Sequence, residues 1–101
     1  MLQLRPQDLQ ALRCALSPFT EIHHAWLFGS RAVGTARRAS DIDLTIEAPA
    51  MSGARWQALL DALEHAPLIY HLDIVRLDTL DDLALRQTIL EQRSPLDIAD
   101  Y

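Results

Sequence analysis

The sequence predicts one small α/β or α+β domain over residues 1–101, a β-sheet flanked by helices. Segments with apolar residues at helical spacing alternate along the chain with segments that are strictly alternating or rich in branched and aromatic residues. No linker-like stretch divides them, and 101 residues leave room for one core. Half the residues are hydrophobic and 23% are charged, with 3 Gly and 5 Pro, as in an ordinary folded protein.

Pro6 suits the first turn of a helix, and Leu9, Leu12 and Leu16 then recur at i, i+3 and i+7 until Ser17-Pro18, which predicts a helix over residues 6–16. Residues 21–28 are aromatic and branched, too short for a typical helix, and end at Gly29, which predicts a strand. A short turn of helix and a loop follow over residues 30–39, where Gly34 interrupts anything longer. Asp41-Ile42-Asp43-Leu44-Thr45-Ile46-Glu47 alternates polar and apolar residues, so it is read as a strand with Ile42, Leu44 and Ile46 facing the core.

Ser52 caps the next predicted helix, whose stripe is Trp56, Leu59, Leu60 and Leu63, and Pro67 marks its exit. Residues 68–77 are read as a third strand. A last helix is predicted to start at Asp78 or Thr79 and to run to about Arg93, where Ser94-Pro95 stops it. Periodicity does not order the strands.

The nine basic residues are all arginine and face 14 acidic ones, for a net charge of −5, which disfavours extensive nucleic-acid binding. Cys14 is the single cysteine, so neither an internal disulfide nor a cysteine metal site is available. The first residues lack the apolar run of a signal peptide, and no stretch has membrane-spanning length; the expectation is a cytoplasmic protein.

The chemistry concentrates in a few positions. Asp41 and Asp43, at i and i+2 of a strand, project from the face opposite Ile42 and Leu44. Adjacent carboxylates repel; exposure to water relieves this, but a hard cation such as Mg²⁺ does so more productively, since it takes oxygen ligands and completes its shell with phosphates. Ser30 lies eleven positions before Asp41, directly after Gly29. There glycine permits close backbone approach, and a helix start with a hydroxyl favours phosphate.

In Tyr70-His71-Leu72-Asp73-Ile74-Val75, His71 and Asp73 share the outward face. A strand pairing beside Asp41 and Asp43 would add Asp73 as a third carboxylate, a set suited to two metals in phosphoryl transfer. Asp78 is the alternative third carboxylate. Arg31, Arg37 and Arg38 lie between the turn and the carboxylates, where guanidinium groups suit a triphosphate, or simply form a solvated loop. The Trp56 stripe is read as core, and His23 and His24 as structural.

Gly29-Ser30-Arg31-Ala32-Val33-Gly34 followed by Ser40-Asp41-Ile42-Asp43-Leu44 resembles the signature of the MNT-type minimal nucleotidyltransferases of the DNA polymerase beta superfamily. The match is most specific over residues 26–44 and extends loosely to nearly the whole chain. The resemblance implies a nucleotidyltransferase fold with a mixed sheet. It implies phosphate contacts at Gly29 and Ser30 and Mg²⁺, two ions, on Asp41, Asp43 and Asp73; Arg31, from its position beside the turn, is the further expected nucleotide contact. It also implies ATP as donor of AMP to a hydroxyl of a HEPN-domain toxin, which the protein would neutralise as an antitoxin. Two other readings remain open: a noncatalytic antitoxin that masks the toxin, and transfer to a small molecule or RNA end.

Overall fold

The computed structural model describes residues 4–37 and 40–96. Its elements run α1 (Pro6–Leu16), β1 (His24–Phe28), α2 (Ser30–Val33), β2 (Ile42–Glu47), α3 (Gly53–Glu64), β3 (Leu72–Arg76), a 3₁₀ turn (Leu77–Thr79), α4 (Leu83–Gln92) and β4 (Ser94–Pro95). The strands form one mixed sheet in the order β3-β2-β1-β4. β1 is antiparallel to β2 and β4, and β2 is parallel to β3. The mixed sheet flanked by helices is therefore as the sequence predicts.

The alternation of β2 decides the layering. Ile42, Leu44 and Ile46 are fully buried and pack with Ala25 and Leu27 of β1 against Leu12 and Leu16 of α1 and Leu59 and Leu63 of α3. The opposite face carries a smaller cluster, Phe28, Leu77 and Ile89, flanked by Trp26, Val75, Leu80 and Leu85. So α1 and α3 cover one face, while α4 covers part of the other and leaves the rest to polar residues of β2 and β3. Pro6 opens α1, and Asp8, at its third position, accepts from the Arg5 backbone and side chain, closing the first turn. Ser52 caps α3 by accepting from the Arg55 N–H.

Several boundaries depart from the sequence expectation, each for a local reason. β1 begins at His24 rather than Glu21, because residues 19–22 form a turn in which the Ile22 N–H returns to the Phe19 carbonyl at 3.1 Å. β3 is confined to Leu72–Arg76 rather than residues 68–77, since the Leu68 N–H folds back onto the Ala66 carbonyl at 2.7 Å and Leu77 enters a 3₁₀ turn. α4 starts after Asp82, whose carboxylate caps the Leu85 N–H, and not at Asp78 or Thr79. Ser94-Pro95 does more than stop the helix: it pairs with Leu27 and Trp26 at the sheet edge, the position where a strand tolerates proline. Among the described residues no helix is long and apolar enough to cross a membrane.

Candidate active site

The site grows from the end of β1. Gly29 has φ 73° and ψ −158°, a conformation open essentially to glycine, and a Cβ added there would land on Oδ2 of Asp43. Backbone conformation and the neighbouring carboxylate thus both require glycine. Ser30 opens the single turn α2, whose Ala32 and Val33 N–H groups return to the Gly29 carbonyl at 3.1 Å. Gly34, with φ 88°, ends it in the left-handed region.

Strand pairing brings the carboxylates to this turn. Phe28, the residue before Gly29, lies opposite Asp43, and Asp43 lies in parallel register with Asp73. Residues in register project to the same face, so the Asp43 and Asp73 side chains stand side by side on the face opposite the larger core. Asp41 is exposed, one residue ahead of β2. Burial pushes the Asp43 carboxyl above its ordinary range, and the charges of Asp73 and Asp41 push it further. Among the described residues none of the three is ion-paired with a cationic side chain.

The cluster is looser than the convergent triad expected from the sequence. Among the described residues no three His, Cys, Asp or Glu side chains are gathered to hold one ion between them. The donor set nevertheless fits Mg²⁺, which is typically held by one or two carboxylates, with waters and substrate phosphates completing the octahedron. Asp43 and Asp73, with Asp41 beside them, supply such carboxylates around a concentration of negative charge that, among the described residues, no cationic side chain pairs with.

The other candidates separate clearly. Asp78, the alternative third carboxylate, lies away from this cluster: it accepts from the Ala48 N–H at 2.9 Å and pairs with Arg76 at 3.1 Å. Arg31 is turned inward, 5% exposed, giving Nε and Nη2 to the Ser40 carbonyl at 3.1 and 2.8 Å. Two of its guanidinium nitrogens are thereby engaged on the loop backbone beside Asp41. Arg37 is exposed and gives its N–H to Ser40 Oγ, and Arg38 lies outside the described residues. His71 precedes β3 and lines a groove of about 340 Å³ with Leu63, Leu72 and Ile74, on the other side of the sheet from Asp43. Trp56 packs against the larger core, as its spacing predicts, with Arg76 over its ring.

One contact at the site escaped the sequence reading. Gln92, the last residue of α4, accepts the Gly29 N–H on Oε1 at 3.0 Å across 63 positions of sequence. A glutamine at a helix end carries no signal of its own; knowing that α4 crosses the Phe28 face is what identifies it.

The family model described as "Polymerase beta, Nucleotidyltransferase" matches residues 10–98. Among curated proteins none matches this chain. Two solved structures are similar. A toxin-antitoxin with AMP-PNP is 27% identical with a TM-score of 0.66, covering 89% of this chain and 73% of its own. A mutant of the toxin-antitoxin MntA-HpeT, with two aspartates replaced by glutamates, is 26% identical with a TM-score of 0.59, covering 90% and 70%. With the glycine turn packed on the carboxylate strand and a match over almost its whole length, the chain belongs to the polymerase beta nucleotidyltransferase family.

Proposed function

We propose that the chain transfers AMP from ATP to a hydroxyl of a partner toxin of the HEPN type, and thereby acts as its antitoxin. The observation that carries this reading is the side-by-side register of Asp43 and Asp73 beside a Gly29-Ser30 turn that leaves no room for a side chain. Support for the nucleotide comes from the AMP-PNP of one similar structure, and support for the partner from the toxin-antitoxin nature of both. The aspartates replaced in the second stand two positions apart, as Asp41 and Asp43 do here.

Asp41, Asp43 and Asp73 would hold Mg²⁺, which supplies charge neutralisation for the phosphates and lowers the barrier to forming the nucleophile. Gly29 and Ser30 bind and orient the triphosphate. Asp73, the more exposed of the paired carboxylates, takes the proton of the acceptor hydroxyl as its oxygen attacks the α-phosphorus. The bond from that phosphorus to the bridging oxygen breaks, and pyrophosphate leaves. Cytoplasmic location belongs to this reading, since ATP and a toxin made in the same cell are met there.

The test is intact mass spectrometry of the partner toxin after incubation with the chain and Mg-ATP. A mass increase of one or more AMP units, lost in Asp41→Asn and Asp43→Asn, is expected. Neutralisation without an adduct, surviving both substitutions, would instead establish a masking antitoxin, and an adduct on RNA or a small molecule would replace the acceptor.

A further inference from the structure

We propose that Arg31 is a positioning residue for the cation site: its guanidinium ties the Gly29-Ser30 turn to the entry of the Asp41–Asp43 segment, and it acts through Ser40 rather than by touching the nucleotide. The inference rests on the reading that these aspartates hold a divalent cation. Arg31 follows Ser30 in α2, and its Nε and Nη2 both reach the Ser40 carbonyl, at 3.1 and 2.8 Å. Ser40 is bonded to Asp41, so displacing that carbonyl displaces the carboxylate next to it. The far side of Asp41 is fixed by the sheet, through the Ile42 N–H on the His71 carbonyl at 2.9 Å. On the near side, Ser40 also exchanges bonds with Arg37, at 3.0 and 2.8 Å, but those stay within the loop. Arg31 reaches the Ser40 carbonyl from α2.

The site is built for a planar guanidinium. The Arg31 carbon lies 4.1 Å from the centroid of the Tyr70 ring, and the side chain is 5% exposed. Asp8, fully buried and paired with Arg5, also feels the Arg31 charge: hydrogen bonding from Arg5 outweighs burial in holding it below its usual range, and Arg31 adds a smaller part. A lysine supplies a positive charge but neither the fork that reaches one carbonyl with two donors nor the flat face that stacks on Tyr70.

Mn²⁺ titration followed by water-proton relaxation, without nucleotide or partner, tests this on the whole chain. The wild type should bind, and Arg31→Lys should bind about 10- to 100-fold more weakly, the usual effect of losing an outer partner of a metal ligand, with its melting temperature nearly kept. ATP binding in the presence of EDTA should be unchanged. Equal Mn²⁺ affinity in Arg31→Lys overturns the proposal, as does a loss of metal-free ATP binding of the same size. No Mn²⁺ binding by the wild type overturns the cation reading itself. Should Arg31→Lys not melt cooperatively, Tyr70→Leu carries the test: it keeps both bonds to Ser40, and a smaller weakening of Mn²⁺ binding is expected, with unchanged affinity overturning the link.

Discussion

Two groups of carboxylates in this molecule obey opposite electrostatics. Asp8, Glu21 and Asp78 each face an arginine, Arg5, Arg55 and Arg76, at 2.9, 2.8 and 3.1 Å. Asp43 faces two more carboxylates instead. In the first group the carboxyls sit below their ordinary range: for Asp8 and Glu21 the arginine hydrogen bond is the main cause. For Asp78 burial acts against the shift and is outweighed by the Ala48 N–H and Arg76. In the second group burial and like charge push Asp43 up. One functional group thus locks the fold where it is paired and stores repulsion where it is not, and stored repulsion is useful only if a cation arrives to relieve it.

The sharpest break in that comparison is Asp43→Asn. It should lower nucleotidyl transfer by about 10³-fold or more, because the charge that holds the cation is gone. The same substitution removes repulsion, so the melting temperature should stay level or rise by about 2–5 °C, in keeping with the trade between site and stability. A fall in both quantities would mean that Asp43 is structural. Asp78→Ala should do the reverse. It leaves Arg76 mostly buried without its carboxylate and the Ala48 N–H without its acceptor, at a cost of about 2–3 kcal/mol in urea unfolding, while the fraction that stays folded keeps its transfer rate.

Acid titration of stability separates the groups again. The folded pKa values of Asp8, Glu21 and Asp78 are depressed, so their contribution is complete above the unfolded values, 3.8 for the aspartates and 4.5 for Glu21, and is lost as pH falls through the folded ones, about 2 for Glu21. Melting temperature should therefore be flat just above about pH 5 and decline steadily below it. Asp43 has the opposite sign: its raised folded pKa favours the fold at low pH, a contribution lost as pH rises through that value.

The sequence exposes the second group far better than the first. Asp41 and Asp43 stand out because strict alternation places both opposite Ile42 and Leu44, and Asp73 because Leu72 and Ile74 bracket it in the same way. Local pattern suffices where side-chain direction follows from a period of two. In the first group Arg5–Asp8 and Arg76–Asp78 are local pairs, three and two positions apart, but the remaining contacts depend on which loop folds over which. Arg55 meets Glu21 across 34 positions, and Asp78 meets Ala48 across 30, separations at which residue type carries no signal. Arg31 shows both levels at once: between a phosphate turn and a pair of carboxylates, an arginine reads as an anion clamp. Only the placement of Ser40 and Tyr70 reveals that its charge is turned inward.

Gln92 gives the smallest expected effect and the most selective one, since it joins α4, otherwise held by Phe28, Leu77 and Ile89, to the glycine turn of the repelling cluster. Gln92→Ala leaves the Gly29 N–H without its acceptor. The group is only half-buried, so water can replace part of the bond, and the stability loss should be about 1 kcal/mol. The transfer rate should fall by about tenfold, because a turn that drifts by a fraction of an ångström no longer sets the phosphates in line with the acceptor. Gln92→Glu distinguishes the two contributions. A carboxylate still accepts the Gly29 N–H, so the fold should be kept, but it adds a fourth negative charge near Asp41, Asp43 and Asp73. If the cluster works by gathering cations, Gln92→Glu should tighten Mn²⁺ binding while weakening ATP binding in EDTA. If the cluster is merely a solvated acidic face, neither affinity should move.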